Sequence, residues 1–329
     1  MNRFSFKTHS KEIILKQYVN DEILTVGDDQ KAIPALAKNT KLIQKIEAIL
    51  PTLPTVHEFH RADSTKIDFL KPESVHLVVT SPPYWILKKY NDRNGQLGGI
   101  ADYDIFLQEL NKVWQKCFTA LVPGGRLICI VGDVCLSRRQ NKGRHTVIPL
   151  HAAIQEQCRK IGFDNLAAII WHKIANATFE TSRGSTFLGK PYEPNSIIKN
   201  DIEFILMERK PGGYRNPITL ERKLSVISEK NHKQWFNQIW TGLTGASTKK
   251  HPAPYPLELP TRLIRMFSFV GDTIFDPFLG SGTTSLAAWK VGRNSIGVEL
   301  DEHYFEIATD RFQTETISLT SHHSFEIFN

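Results

Sequence analysis

Residues 271–301 constrain the fold more than any other stretch. Thr273 to Pro277 is a short apolar strand. Phe278-Leu279-Gly280-Ser281-Gly282-Thr283-Thr284 is a glycine loop that opens a helix to about Val291. Asn294 to Leu300 is a second strand, ending at Glu299 and Asp301. This order is a βαβ unit, and a βαβ unit demands parallel strands within a sheet covered by helices. The glycines let the backbone approach a bound nucleoside closely. Glu299 follows Gly280 by 19 residues, near the spacing of about 20 at which an acidic side chain accepts from ribose hydroxyls.

The third glycine of a pyrophosphate-binding GxGxxG is absent, and Thr283-Thr284 stands in its place. A nucleoside cofactor without a pyrophosphate, such as S-adenosylmethionine, therefore fits this loop better than NAD does.

A second stretch, Thr80-Ser81-Pro82-Pro83-Tyr84-Trp85, follows the apolar run Val75 to Val79. The run reads as a buried strand. Two prolines, each with a locked φ and no N–H, then stop the ladder. The rigid strand end presents a hydroxyl, backbone carbonyls and a flat ring. That set suits a planar base held by stacking, with its exocyclic amine donating to the strand end. An ordinary turn after a strand is the competing reading of the same residues.

The 329 residues form one large domain, or one domain with insertions, and 41% hydrophobic content is globular usage. Cys117, Cys129, Cys135 and Cys158 have no CxxC pair and no metal-ligand spacing, which points to a reducing cytosol without disulfides or metal. No apolar run reaches membrane-spanning length. Residues 1–54 read as a helical extension. Val56 to Phe59 is a strand running towards Asp63, either an acceptor for a ligand's amine or hydroxyl or a turn cap. Gly95, Gly98 and Gly99 mark a loop, plain surface or lid. Tyr103 to Leu121 is an amphipathic helix, Arg126 to Val131 a strand, and Ser318 to Asn329 a loose tail.

The net charge is +7, which favours an anionic partner. Arg138, Arg139, Lys142 and Arg144 cluster after a strand end, where they either sit in solvent or hold phosphates. Between 209 and 250 nine cations face only Glu221 and Glu229, with Trp235, Phe236 and Trp240 interleaved. That surplus equals the charge of the whole chain, so the stretch around it is the candidate nucleic-acid contact. Arg183, Lys190, Arg215, Arg222, Lys223 and Lys233 are its candidate residues.

TSPPYW at 80–85, DPFLGSGTT at 276–284 and GVELD at 297–301 together resemble the S-adenosylmethionine-dependent amino DNA methyltransferases. The order is that of the circularly permuted β class, with the catalytic motif ahead of the cofactor motif. PGGRLICIV at 123–131 and HPAPYP at 251–256 resemble further motifs of that family. The resemblance implies an α/β, Rossmann-like, doubly wound sheet, mixed but mostly parallel. It implies a catalytic half at 55–173, a DNA target-recognition insertion at 174–250 and a cofactor half at 251–315. Ser81, Pro82, Pro83 and Tyr84 would act on the base, with Trp85 as a wall. Asp63, Asp276, Pro277, Phe278, Gly280, Ser281, Gly282, Thr283, Thr284 and Glu299 would bind the cofactor. In this family Ser-Pro-Pro-Tyr usually accompanies cytosine-N4 methylation and Asp-Pro-Pro-Tyr adenine-N6, so Ser81 favours cytosine. Double-stranded DNA is the implied partner, with a cognate restriction endonuclease as a functional one. The implied protein is a cytoplasmic monomer or homodimer. An adenine-N6 enzyme and a non-catalytic DNA-binding protein are the alternatives.

Overall fold

The computed structural model describes residues 8–27, 29–87, 95–139, 141–173, 200–243, 245, 255–317 and 322–329. Its strands, in chain order, are β1 (Thr55–Arg61), β2 (Val75–Thr80), β3 (Leu121–Val131), β4 (Val134–Leu136), β5 (Thr146–Ile148), β6 (Asp164–His172), β7 (Ile202–Arg209), β8 (Ile239–Trp240), β9 (Thr273–Asp276), β10 (Asn294–Glu299) and β11 (His323–Phe328). Nine of them form one sheet, in the order β11-β1-β10-β9-β2-β3-β7-β6-β8, and β4 pairs with β5 in a separate hairpin. The run from β11 to β3 is parallel; β7 is antiparallel to both β3 and β6. The sheet is thus mixed and mostly parallel, as expected.

The central strands are apolar because both their faces are covered. Leu77, Val79, Ile128, Ile130 and Ile274 face one core, against Leu259 and Leu263 of the helix Glu258–Phe267. Val75, Val78, Leu127, Cys129 and Phe275 face the other. There the helix Tyr103–Ala120 buries Phe106, Leu110, Val113, Trp114 and Cys117, a stripe at helical spacing. Each such side chain contributes about 1.5–3 kcal/mol when fully buried. The N-terminal helices belong to the same body, since Ile23, Leu36, Ile43 and Ile46 sit in the first core.

Two expectations are corrected. Part of the expected loose tail, His323–Phe328, is a strand in register with β1 from Thr55 to His60. Phe325 packs edge-on against Phe59, with ring centres 4.8 Å apart, and the alternating apolar residues of this hexamer are the signal for it. The stretch 174–250 is not one insertion either. β7 lies inside the sheet between β3 and β6, and Trp235 and Trp240 are core residues. Residues 174–199, 244 and 246–250 of that stretch lie outside the described residues.

Glu208 is an unusual member of this interior. It is fully buried on β7, opposite Leu127 of β3, and burial pushes its carboxyl up to about 7. The folded state therefore favours the protonated form. Stability falls as pH rises from the ordinary carboxyl range towards 7, and the loss is complete above that. Glu208→Gln is expected to raise the melting temperature at pH 8, with a gain that shrinks towards pH 4.5. Equal gains at both pH values would mean that Glu208 does not titrate in this window.

Candidate active site

The two stretches singled out in the sequence meet because β2 and β9 are neighbours, with Leu77 opposite Ile274 and Val78 opposite Phe275. Their carboxyl ends are tied by Thr80 Oγ1, which donates to Asp276 Oδ1 at 2.7 Å. Ser81 and Pro277 therefore leave the sheet side by side, where open α/β sheets bind their ligands. Asp276 is an interior fastener. It is 1% exposed, also accepts from the N–H of Phe278 at 3.0 Å, and burial raises its pKa.

One cleft runs between these ends. It is lined by Ser81 and Pro83, by Pro277, Phe278 and Gly280, by Glu299 and Leu300, by Asp63 and Ser64, and by Gly95, Gln96, Leu97 and Gly98. Gly280 and Gly282 have φ of +53° and +76°, the left-handed region that only glycine enters freely. That turn aims the Gly280 N–H at Glu299 Oε2, 2.9 Å away. Glu299 Oε1 accepts from the N–H of Asp301 at 3.0 Å. Burial nevertheless pushes the Glu299 carboxyl up to about 7, because two backbone donors offset desolvation only in part. Each oxygen keeps a second acceptor site, so the carboxylate can take the hydroxyls of a ribose. A nucleoside fits this donor set. The cleft is narrow, about 80 Å³, against roughly 300–1,000 Å³ for small-molecule sites. The lining thus matches a nucleoside in its chemistry rather than in its present volume.

Of the other candidate cofactor residues, Asp63 lines the cleft, whereas Thr283 and Thr284 are buried behind it. Asp63 caps its own turn by accepting from Thr65 N at 2.9 Å, and Lys66 stands 3.3 Å from it. Thr284 Oγ1 meets the Tyr255 hydroxyl, and Thr283 Oγ1 accepts from Arg311 at 2.9 Å. Arg311 also donates to the Ser281 carbonyl at 3.1 Å, so it braces the glycine loop from the helix Glu302–Thr316. Sequence reading missed Arg311, Ser64 and Gln96. Ser64 Oγ donates to the Pro277 carbonyl, and Gln96 Nε2 to Asp301 Oδ2 at 3.3 Å. The glycines at 95–99 were the only local signal for any of the three.

The Ser81-Pro82-Pro83-Tyr84-Trp85 stretch has an unexpected side. Tyr84 and Trp85 are 7% and 8% exposed, and neither lines the cleft. Tyr84 OH lies 3.4 Å from both Ser81 Oγ and the Ile130 carbonyl. Trp85 sits edge-on to Tyr103 at 5.1 Å, with its Nε1 buried and without a hydrogen bond among the described residues. Its φ of +46° is a strained backbone for an indole. Here both rings are held in the core by their apolar area, and Ser81 and Pro83 face the opening.

The candidate phosphate contacts separate into groups. Arg138, Arg139, Lys142 and Arg144 are exposed on the loop of the β4–β5 hairpin, which packs beside the turn at Trp85–Leu87. They sit near the turn that follows Ser81. Lys223 is a correction: it is 5% exposed and donates to the Ile23 and Leu24 carbonyls, so it anchors the N-terminal helices. Arg215 is paired with Asp272 at 2.6 Å and Lys233 with Glu229 at 3.2 Å. Arg222 is half-buried. Arg183 and Lys190 lie outside the described residues.

Residues 75–310 match the model of a DNA methylase family, that of the N6 and N4 enzymes. Type II methyltransferase M.MjaI of Methanocaldococcus jannaschii is 36% identical over 279 residues, covering 76% of this chain and 89% of its own. Type II methyltransferase M.MthZI of Methanothermobacter thermautotrophicus is 34% identical over 292 residues, covering 82% of this chain and 79% of its own. Among solved structures, the putative DNA modification methylase TTHA0409 of Thermus thermophilus, complexed with S-adenosyl-L-methionine, superposes with a TM-score of 0.68 at 46% identity. That alignment covers 83% of this chain and 98% of the other.

Proposed function

We infer that this chain, which belongs to the N6/N4 DNA methylase family, methylates the exocyclic N4 amine of cytosine in double-stranded DNA, using S-adenosylmethionine. The observation that carries this reading is one cleft lined by both Ser81 and Glu299. A reactive strand end and a ribose acceptor share a single opening. Serine at position 81, where the adenine-type motif has aspartate, favours cytosine. The similarity to Type II methyltransferases supports a place beside a restriction endonuclease of the same DNA specificity.

The cofactor supplies an electrophilic methyl group when bound. Glu299 and the backbone at Gly280 hold its nucleoside, with the loop kept in shape by Arg311. The amine of cytosine is a poor nucleophile because its lone pair is delocalised into the ring. Donation from that amine to Ser81 Oγ and the Pro82 carbonyl draws the nitrogen towards a tetrahedral geometry and frees the lone pair. Ser81 positions the amine, and the displaced proton leaves to solvent. This route needs no covalent cysteine; Cys117, Cys129 and Cys158 are buried, and burial raises all three thiols. Extruding the base costs a few kcal/mol, offset by phosphate contacts from the exposed arginines of the β4–β5 loop.

The test combines purified protein, unmethylated genomic DNA and isotope-labelled S-adenosylmethionine, followed by mass spectrometry of the nucleosides. Label in N4-methylcytosine is the expected result. Label in N6-methyladenine would overturn the choice of base while keeping the site.

A further inference from the structure

At the end of the sheet opposite Ser81 lies a groove of about 950 Å³. Its floor carries Arg126 of β3 directly opposite Arg209 of β7. Leu77 pairs with Arg126, whereas Thr80 pairs with Cys129, so Arg126 stands at the far end of β2 from the catalytic turn. Arg126 and the last residue of β3, Val131, are about 17 Å apart at about 3.3 Å per residue. A ligand on Arg126 does not occupy the methyl-transfer cleft.

Two cations directly opposite each other on an antiparallel ladder repel. Arg209 is relieved by Asp164, 2.8 Å away. Arg126 is not: it is half-buried and its side chain makes no ion pair or hydrogen bond among the described residues. Its close partner is the Phe267 ring, 4.4 Å beneath the guanidinium. Burial and Arg209 together lower its pKa. Lys38, at the end of the helix Ala32–Lys38, is exposed on the same groove and also unpaired among the described residues. Arg215, Lys233 and Arg265 line it too, but each has its own carboxylate. Among the described residues that line the groove, the unneutralised positive charge is thus confined to Arg126 and Lys38. At the rim, after Gly212 and Gly213, Tyr214 is 102% exposed, a ring with no packing of its own.

We propose that this groove binds a single strand of nucleic acid, with a phosphate on Arg126 and a base stacked on Tyr214. A planar guanidinium recessed over an aromatic face is suited to a phosphate. A bare ring beside a cationic groove is how sequence-independent single-strand sites are built. A flexible strand can lower a phosphate onto the recessed Arg126, whereas a stiff duplex would span the rims. An acidic peptide would satisfy the charges but would give Tyr214 nothing to stack.

The test uses the full chain and a fluorescein-labelled oligothymidylate of about 12 nucleotides, with anisotropy read across a salt series. Tyr214→Ala is expected to weaken binding about tenfold. Arg126→Ala is expected to weaken it at least as much and to make the log–log salt slope shallower by about 0.7, one phosphate's share. Arg126→Lys should restore the slope. Photocrosslinking with an iododeoxyuridine oligonucleotide should label the peptide containing Tyr214. Methyl transfer to short duplex DNA should be unchanged in Tyr214→Ala, which separates this site from the catalytic one. Unaltered binding in both Tyr214→Ala and Arg126→Ala would overturn the proposal. So would equal displacement of the strand by a duplex of the same length or by polyglutamate.

Discussion

Replacing Ser81 with alanine is expected to lower the rate of methyl transfer about 10²–10³-fold, the usual cost of losing one preorganised partner to the reacting group. Cofactor affinity should stay within a factor of a few. Ser81 lines the cleft and is half-buried at the tip of β2. It is tied to the protein only through a long contact with Tyr84 OH at 3.4 Å among the described residues. Removing its oxygen therefore costs the fold little, and the effect falls on the amine. Single-turnover rates and calorimetric titration of the cofactor on the same preparation make the comparison. A variant with unchanged rate would remove Ser81 from the mechanism. A variant with equal loss of rate and of cofactor affinity would make it a structural residue of the cleft.

The architecture was legible where chemistry and periodicity coincide. The βαβ unit at 273–299 and the strand at 75–80 could be read from apolar runs that stop at glycine and at proline. What joins them, the β2–β9 pairing and the Thr80–Asp276 bond, links residues far apart in the chain and leaves no local trace. Charge was the poorest guide. Lys223 and Arg215 belong to the same basic stretch, yet one caps the carbonyls of an N-terminal helix and the other neutralises Asp272. A lysine's sequence neighbours do not reveal which carbonyl it will meet. Strand β11 went unread because six residues after a polar segment carry too weak a period to outweigh their terminal position. The motif alone suggests Tyr84 and Trp85 as presented surfaces. Their rings have enough apolar area to be held inward against Gly132 and Tyr103.

The second large effect belongs to Glu299, and it carries its own pH signature. Its carboxyl sits at about 7 in the folded protein because burial outweighs the two N–H groups that it accepts from. Ribose hydroxyls donate to the ionised form, so binding selects the carboxylate. Below pH 7 a proton must leave first, and affinity should drop about tenfold per pH unit; above 7 it should level off. Between pH 8 and pH 6 the cofactor should therefore weaken by about tenfold, with close to one proton released per cofactor bound at pH 6. Calorimetry in buffers of different ionisation enthalpy counts that proton. Glu299→Ala removes both acceptors and should cost about 10²-fold or more in affinity, at about 1.5–3 kcal/mol for each hydrogen bond to a charged group. It also leaves the Gly280 and Asp301 N–H groups without their partner, so part of that loss comes from a looser loop. Glu299→Gln is the sharper variant, because its amide oxygen can still serve one of those N–H groups and it cannot titrate. Its affinity should be lower than that of the parent at pH 8, and flat from pH 6 to pH 8. A pH dependence that survived in Glu299→Gln would place the titrating group elsewhere and end the assignment of Glu299 to the ribose.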